Sequence, residues 1–337
     1  MIVAITGASG LVGGNLAAVL RDRGIEVRAT RRRSSVIDHL DHLDIEWVEA
    51  TLQDADSLTR AFTGVDAVVH CAAAVTLRWA LTPKIRAANI DGTAHVIEAV
   101  KAAGVDRLVH CSSTVTVGLS DDDQPCDETA SWNLPARGLD DGYSRSKRES
   151  EQLVLNAVND GLDAVVVNPG YMLGPLDARP SSGELLLRLV KGEVPALTGG
   201  GNSFVDVRAV ARGMVAALER GRSGERYILA GENLDYAEAF PRFCALAGVK
   251  PPGLTVPFGV AAIPGAFGAA WERLTNRDAL VNLNAVRWSY ARGFAFSSDK
   301  ARAELGYDPG DLDTAVVDAL KWWQGRGMLG GLPALPL

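Results

Sequence analysis

Along the first half of the chain, short aliphatic runs rich in β-branched residues alternate with longer segments whose apolar residues recur every three or four positions. Met1–Ile5, Glu26–Thr30, Ile45–Val48, Asp66–Ala74, Arg107–Cys111 and Asp163–Pro169 are of the first kind and predict six strands. Gly14–Arg23, Asp54–Phe62, Pro83–Ala103 and Asp140–Val158 are of the second kind and predict helices. Gly24 and Gly104 stop two of them, as a glycine at a helix end does. Strands alternating with helices predict an α/β fold with a doubly wound parallel sheet. After Gly170 the regularity weakens into Gly/Pro-rich loops and short helices. Val205–Glu219 and Arg226–Ala230 predict one more helix and strand returning to the sheet, and residues 235–337 read as mainly helical. The expected division is residues 1–170 with about 205–231 in one domain, and 171–204 with 232–337 in a smaller, mainly helical substrate region.

Right-handed crossovers put the carboxyl ends of all these strands on one edge, where ligands bind in open α/β sheets. The segments that reach this edge carry the chemistry. Thr6-Gly7-Ala8-Ser9-Gly10-Leu11-Val12-Gly13 lies between the first strand and the first helix. Gly7 allows a tight turn, Gly10 a close backbone approach to a pyrophosphate, and Gly13 close helix–strand packing. The helix N-terminus offers N–H groups and partial positive charge to phosphates. This is a Rossmann-type dinucleotide site, with Ser9, Leu11 and Val12 beside the three glycines. At the end of the second strand an acid would bind the 2′-hydroxyl of NAD, but Arg31-Arg32-Arg33 stands there instead. Arg32 falls about 20 residues past Gly13, so Arg31 and Arg32 favour the 2′-phosphate of NADP, with NAD the alternative. Ala72 and Ala73 are the small residues a closely approaching cofactor needs, and Leu52, Pro169 and Met172 complete the expected cofactor contacts.

Tyr143 and Lys147 stand four apart and share one helix face. Bringing a phenol from its ordinary pKa of about 10 to near 7 needs roughly 4 kcal/mol. One positive charge at ~4 Å and an effective dielectric of ~20 supplies about that much, so Lys147 is expected to lower the phenol. The tyrosine would then exchange a proton with a carbonyl or alcohol, and Lys147 would reach the ribose. Ser112, Ser113 and Thr114 end the fifth strand, and the distance back from Gly118 favours Ser113 as the group orienting the carbonyl. Val75, Trp79, Ser113, Trp132 and Tyr171 flank this edge and point to a partly apolar small-molecule substrate. No metal site is expected: Asp121-Asp122-Asp123 reads as a solvated run, and His39 and His42 as surface residues.

Composition narrows the setting. With 337 residues, 47% of them hydrophobic, the chain can bury a large core, and its formal charge of −7 argues against nucleic acid. The four cysteines are scattered without metal spacing, which fits free thiols in a reducing, cytoplasmic compartment. The first apolar run lacks a basic lead-in, and no stretch reaches the length of a membrane span. The nearest, Val256–Ala270, carries two prolines and predicts packed helical pieces or an apolar pocket wall.

Together these motifs resemble the extended short-chain dehydrogenase/reductase family, also called NAD-dependent epimerase/dehydratases. The resemblance rests on Thr6–Gly13, His70–Ala73, Asn89–Thr93, Ser112-Ser113, Tyr143-x-x-x-Lys147 and Asn168–Gly170. Val27–Arg32 is similar to dihydroflavonol-reductase-type members, which use NADPH. Pro180–Gly183, Gly224–Asn233 and Leu305–Tyr307 are similar to hopanoid-associated sugar epimerases. The resemblance implies a Ser113/Tyr143/Lys147 triad, a substrate-recognising C-terminal region, and a homodimer formed through the helices around 84–103 and 141–158. It also has departures. Thr51-Leu52 stands where an Asp-Leu pair is usual, Asn202-Ser203 where sugar-nucleotide enzymes carry Arg-Asp, and Ala209 where an acid is usual. Asparagine cannot replace an arginine's grip on a diphosphate, although Arg179 or Arg287 could stand in for it. The expected function is therefore NADP(H)-dependent reduction of a ketone or aldehyde, or oxidation of a secondary alcohol, with Tyr143 as acid/base. The alternative is an NAD-dependent sugar-nucleotide epimerase or dehydratase.

Overall fold

A computed structural model describes residues 1–330 apart from Asp123, Asn276, Asp278 and Leu280, so the last residue of the acidic run and the tail 331–337 lie outside the described residues. Ten strands form two sheets: β1 (Ile2–Thr6), β2 (Glu26–Arg31), β3 (Ile45–Glu49), β4 (Ala67–His70), β5 (Arg107–Cys111), β6 (Ala164–Pro169), β7 (Tyr171–Leu173), β8 (Gly201–Asp206), β9 (Arg226–Leu229) and β10 (Glu232–Asp235). The large sheet has the order β3-β2-β1-β4-β5-β6-β9, with every neighbouring pair parallel. The order reverses direction between β1 and β4, and that switch point is where a crevice opens at the carboxyl edge.

Both faces of the sheet are covered, which is why its strands are apolar without alternation. On one face Val3, Ile5, Val69, Val109 and Val167 pack with helices Leu11–Asp22 and Val207–Arg220. On the other, Ala4, Val68, Leu108 and Val166 pack with helices Ala55–Phe62, Gly92–Ala103 and Gly142–Asn159. The predicted α/β core is present strand for strand, with β4 shorter than the 66–74 run: residues 71–74 leave the sheet as the crevice wall.

Three features differ from expectation. The segment 83–103 is not one regular helix; a π-helical stretch, Arg86–Asp91, interrupts it. Residues 171–204 do not remain loop and short helix, because β7, β8 and β10 make a second, three-stranded sheet with β8 in the middle. Val205 and Asp206 therefore belong to β8, and the following helix starts at Val207. His39 is not a surface residue: it is 5% exposed, with its ring edge-on to Trp322 at 6.2 Å, and burial lowers its pKa. His42 is exposed, as expected.

The second sheet seats a separate core of Phe204, Phe240, Phe243, Val316 and Trp323. The C-terminal region is tied back to the large sheet at β9, where Ala230 N–H donates to Ser298 Oγ and Tyr307 Oη donates to the Ala230 carbonyl.

Candidate active site

The glycine turn closes onto the crevice wall. Gly7 has φ +79°, a left-handed conformation, and a Cβ there would come within 2.6 Å of the Ala72 backbone nitrogen. A Cβ on Gly13 would run into the Gly7 carbonyl and lie 2.8 Å from Ala8 Cα. Gly10 differs: its nearest neighbour would be the Gly7 oxygen at 3.4 Å, so its open side faces the crevice. Gly10 is also the N-cap of helix Leu11–Asp22, with no side-chain cap and no acid in the first turn. The N-terminal N–H groups are thus left for an external anion. This turn fits a dinucleotide: a glycine cradle that a Cβ would fill, at an uncapped helix start.

At the end of β2 the side chains of Arg31 and Arg32 are exposed, while Arg33 is paired with Glu49 at 2.7 Å. Among the described residues, neither Arg31 nor Arg32 has an ion-pair partner. Leu52 lies half-buried against Gly92, and its carbonyl meets the His95 ring at 2.6 Å. Beneath the turn, Thr6 Oγ1 meets His70 Nδ1 at 2.7 Å, and His70 Nε2 meets Thr93 Oγ1 at 3.1 Å. Burial pushes the His70 pKa down to about 3, so this imidazole is a neutral bridge between β1, β4 and the Thr93 helix.

Tyr143, Lys147 and Ser113 come together at the ends of β5 and of helix Gly142–Asn159. Ser113 lies beside the Tyr143 phenol and pulls its pKa down. Lys147 is 3% exposed and donates from Nζ to the Cys111 carbonyl at 2.7 Å. The neighbouring hydroxyls are committed elsewhere. Ser112 Oγ and Thr116 Oγ1 each donate to Glu151 Oε2 at 2.6 Å, and Asn168 Nδ2 donates to it at 2.8 Å. Thr114 is buried. Of the three candidates, Ser113 is the one whose side chain meets the phenol.

The expected lowering of Tyr143 is not what the geometry gives. Burial raises the phenol above its ordinary value, Cys111 adds to the rise, and only the neighbouring Ser113 opposes it. The Lys147 ammonium is directed at a carbonyl, and burial lowers its own pKa. Desolvation, which the four-residue spacing does not reveal, outweighs the lysine's charge for a buried phenol. At neutral pH the Tyr143 phenol is therefore protonated.

Three residues to which sequence reasoning gave no individual role hold this arrangement. Asn89, in the π-helical stretch, accepts from Ala74 N–H at 2.7 Å and donates to the Ala74 carbonyl and to Ser146 Oγ. It thereby clamps the crevice wall to the tyrosine helix, a common use of a π-bulge. Asp141 caps that helix by accepting from Ser144 N–H at 2.8 Å, and it also accepts from Asn284 Nδ2 and Trp288 Nε1, both at 2.7 Å. Glu151 is fully buried and lies 3.2 Å from Arg226 and 3.5 Å from Arg148. An acid two residues before Tyr143 was a readable N-cap signal; nothing local marked Glu151.

The expected substrate residues separate. Trp79 lines an open cavity of about 890 Å³ with Arg137, Leu139, Phe258, Arg287 and Tyr290. Arg287 lies over the Trp79 ring at 5.3 Å. Val75 is exposed in the crevice wall. Trp132 donates from Nε1 to the Val115 carbonyl at 3.0 Å, beside Ser113. Tyr171 packs edge-on against Phe204 at 5.4 Å and borders the second core, away from that cavity. Ala72 and Ala73 lie in the crevice wall, and Pro169 is buried at the end of β6 with Met172 just beyond in β7. No cluster of metal-ligating side chains occurs among the described residues.

A parallel seven-stranded sheet, a glycine cradle at its switch point and a Ser/Tyr/Lys cluster beside it define a nicotinamide-dependent oxidoreductase of the short-chain dehydrogenase/reductase type. The chain belongs to the NAD dependent epimerase/dehydratase family, whose model matches residues 3–230. It is 34% identical to the "Putative dihydroflavonol 4-reductase" of Synechocystis sp. over 96% of this chain and 94% of that one. It is 32% identical to "Sterol demethylase protein B" of Methylococcus capsulatus over 98% of this chain and 100% of that one. Among solved structures, gox2253 superposes with a TM-score of 0.83 at 34% identity, covering 97% of this chain and 98% of that one.

Proposed function

We propose that this enzyme is an NADP(H)-dependent reductase of a ketone or aldehyde, and in reverse a dehydrogenase of a secondary alcohol. The observation that carries the reading is the placement of Lys147, buried one turn past Tyr143 and held by the Cys111 carbonyl at the end of β5, beside Ser113, while Ser112 is held by Glu151. The nicotinamide, when bound, supplies or accepts the hydride. In reduction, Ser113 orients the carbonyl oxygen, and Tyr143 donates its proton to that oxygen as negative charge develops there. Lys147, held in place by the Cys111 carbonyl, would offer its remaining N–H groups to the ribose hydroxyls of a bound cofactor. Gly7, Ser9, Gly10, Leu11, Val12 and Gly13 would hold the pyrophosphate, and Leu52, Ala72, Ala73, Pro169 and Met172 would line the rest of the cofactor site.

The NADP preference is supported by the two exposed arginines at the end of β2 and the lack of an acid there. Residues 171–204 and 232–337 take the substrate role, with Val75, Trp79, Trp132 and Tyr171 as candidate contacts. A cytoplasmic homodimer, paired through the helices around 84–103 and 141–158, completes the proposal, and light scattering tests the pairing. The deciding experiment is a screen of carbonyl compounds against NADPH and NADH oxidation. Turnover with NADPH favoured supports the reading, and clear preference for NADH overturns the cofactor assignment.

A second reading, sugar-nucleotide epimerisation or dehydration with NAD, is favoured by one feature: Arg137, Arg287 and Arg292 all line the cavity beside Trp79. Protein that purifies with cofactor bound, and turns over a sugar nucleotide without net redox change, would select it.

A further inference from the structure

The segment expected to form packed pieces or a pocket wall does pack, and Phe258 does line the cavity beside Trp79, but most of its large apolar side chains are turned away from both. Phe258–Thr275 is a continuous helix, and its large apolar side chains point outward. Val260, Ile263, Phe267, Trp271 and Leu274 are 57%, 59%, 74%, 53% and 86% exposed. Their spacing of three, four, four and three residues aligns them in one narrow stripe. The opposite face is small: a Cβ on Gly265 would press on Val286 and Leu283, so the helix lies close against Leu283–Tyr290. Its position is fixed at both ends. Tyr290 Oη donates to the Val256 carbonyl, and Glu272 turns inward to accept from Asn282 Nδ2 and Ala279 N–H, both at 3.0 Å. The stripe therefore cannot fold back onto the body of the protein.

Charge complementarity indicates what covers it. The chain as a whole carries a net charge of −7, yet residues 250–296 hold five basic and two acidic residues. With Glu272 turned inward, the exposed charged side chains next to Trp271 and Leu274 among the described residues are Arg273 and Arg277. A flat apolar ridge with an aromatic at its end and flanking arginines matches the boundary between anionic headgroups and acyl chains. A lipid surface accepts such a ridge without the shape complementarity that a protein partner requires. No described helix is long and apolar enough to cross a membrane, so the contact is a peripheral one.

We propose that the stripe Val260–Leu274 docks the enzyme on an anionic lipid surface, with the helix lying in the interface plane and Arg273 and Arg277 meeting the headgroups. Phe258 both begins this helix and lines the cavity beside Trp79, so docking turns the cavity mouth towards the lipid.

Co-sedimentation of the full chain with phosphatidylcholine vesicles, with and without phosphatidylglycerol, tests this. The wild type is expected to pellet with the phosphatidylglycerol vesicles and to do so less at high salt. Phe267→Asp and Trp271→Asp should each weaken binding by about tenfold or more. The pair Arg273→Ala/Arg277→Ala should remove the salt-sensitive part. Cofactor binding and circular dichroism should match the wild type in every variant, because these side chains are exposed. Wild-type protein that stays in the supernatant, or apolar variants that pellet as the wild type does, overturns the proposal. So does a dimer that Phe267→Asp/Trp271→Asp converts to monomer without any vesicle binding, which would make the stripe a contact between copies.

Discussion

Two alanine substitutions in the glycine turn should differ in their effect on stability, because the space around the two positions differs. At Gly13 an added Cβ would overlap the Gly7 carbonyl and sit 2.8 Å from both Ala8 Cα and the Gly7 carbonyl carbon. All of these are backbone atoms of the same turn, so no rotamer change relieves the clash. Reaching an ordinary carbon–carbon separation of about 3.5 Å requires the helix start to move by roughly 0.7 Å. Overpacking of that kind costs about 1–3 kcal/mol, and here it also distorts the N–H groups that meet the phosphates. At Gly10 the added Cβ finds only the Gly7 oxygen, at 3.4 Å, and otherwise faces the open crevice. Gly10→Ala should therefore leave stability within about 0.5 kcal/mol of the wild type. Its methyl group occupies the cofactor's approach and should weaken NADPH binding by roughly tenfold or more, an affinity change of ~1.4 kcal/mol. Gly13→Ala should lower both stability and affinity. Thermal melts of the cofactor-free protein and fluorescence titration with NADPH separate the two effects. A Gly10→Ala variant that binds NADPH as the wild type does would refute the cradle assignment. A Gly13→Ala variant as stable as the wild type would refute the packing argument.

Three further predictions concern other parts of the site. Arg32→Ala should weaken NADPH binding by about tenfold and leave NADH binding nearly unchanged, since only one of them offers a 2′-phosphate to the arginine; parallel titrations check this, and equal losses for both cofactors would contradict it. Glu151→Ala strands Arg226 and three hydroxyl or amide donors in a buried place and should cost about 3–5 kcal/mol in chemical denaturation, with a loss under ~1 kcal/mol counting against the network. Asp177, 2% exposed, has its pKa raised by burial from 3.8 to about 6, against the pull of N–H donors from Gly183 and Ser181. Because the folded value lies above the unfolded one, its ionisation weakens the fold as pH rises from about 4 through about 6. Asp177→Asn should thus gain on the wild type over that window, by up to ~3 kcal/mol above it, and melts at pH 4 and 8 that differ equally for both proteins would rule this out.

The parallel core was legible because every one of its strands is buried on both faces and reads as an unbroken apolar run. The position of the turn and of the Tyr/Lys pair was legible because it depends on local spacing. What stayed hidden depends on partners far along the chain. β10 is Glu-Asn-Leu-Asp, with no strand pattern, and becomes a strand only by pairing with β8 thirty residues earlier. His39 looked exposed because the ring that covers it, Trp322, belongs to the last helix. The Tyr143 shift went the wrong way because spacing reveals which charge is near, while the depth of burial emerges only from tertiary packing. The apolar run near residue 260 was legible as apolar, but its outward orientation was set by glycines that press the other face onto Leu283–Tyr290.

The central claim is that Tyr143 passes its proton to the substrate oxygen while Ser113 holds that oxygen in place. The most direct measurement is turnover by Tyr143→Phe on a carbonyl compound that the wild type reduces, with NADPH affinity measured alongside. The account predicts a fall in kcat of about 10²–10⁴-fold with cofactor binding retained. Turnover within about twofold of the wild type would contradict it.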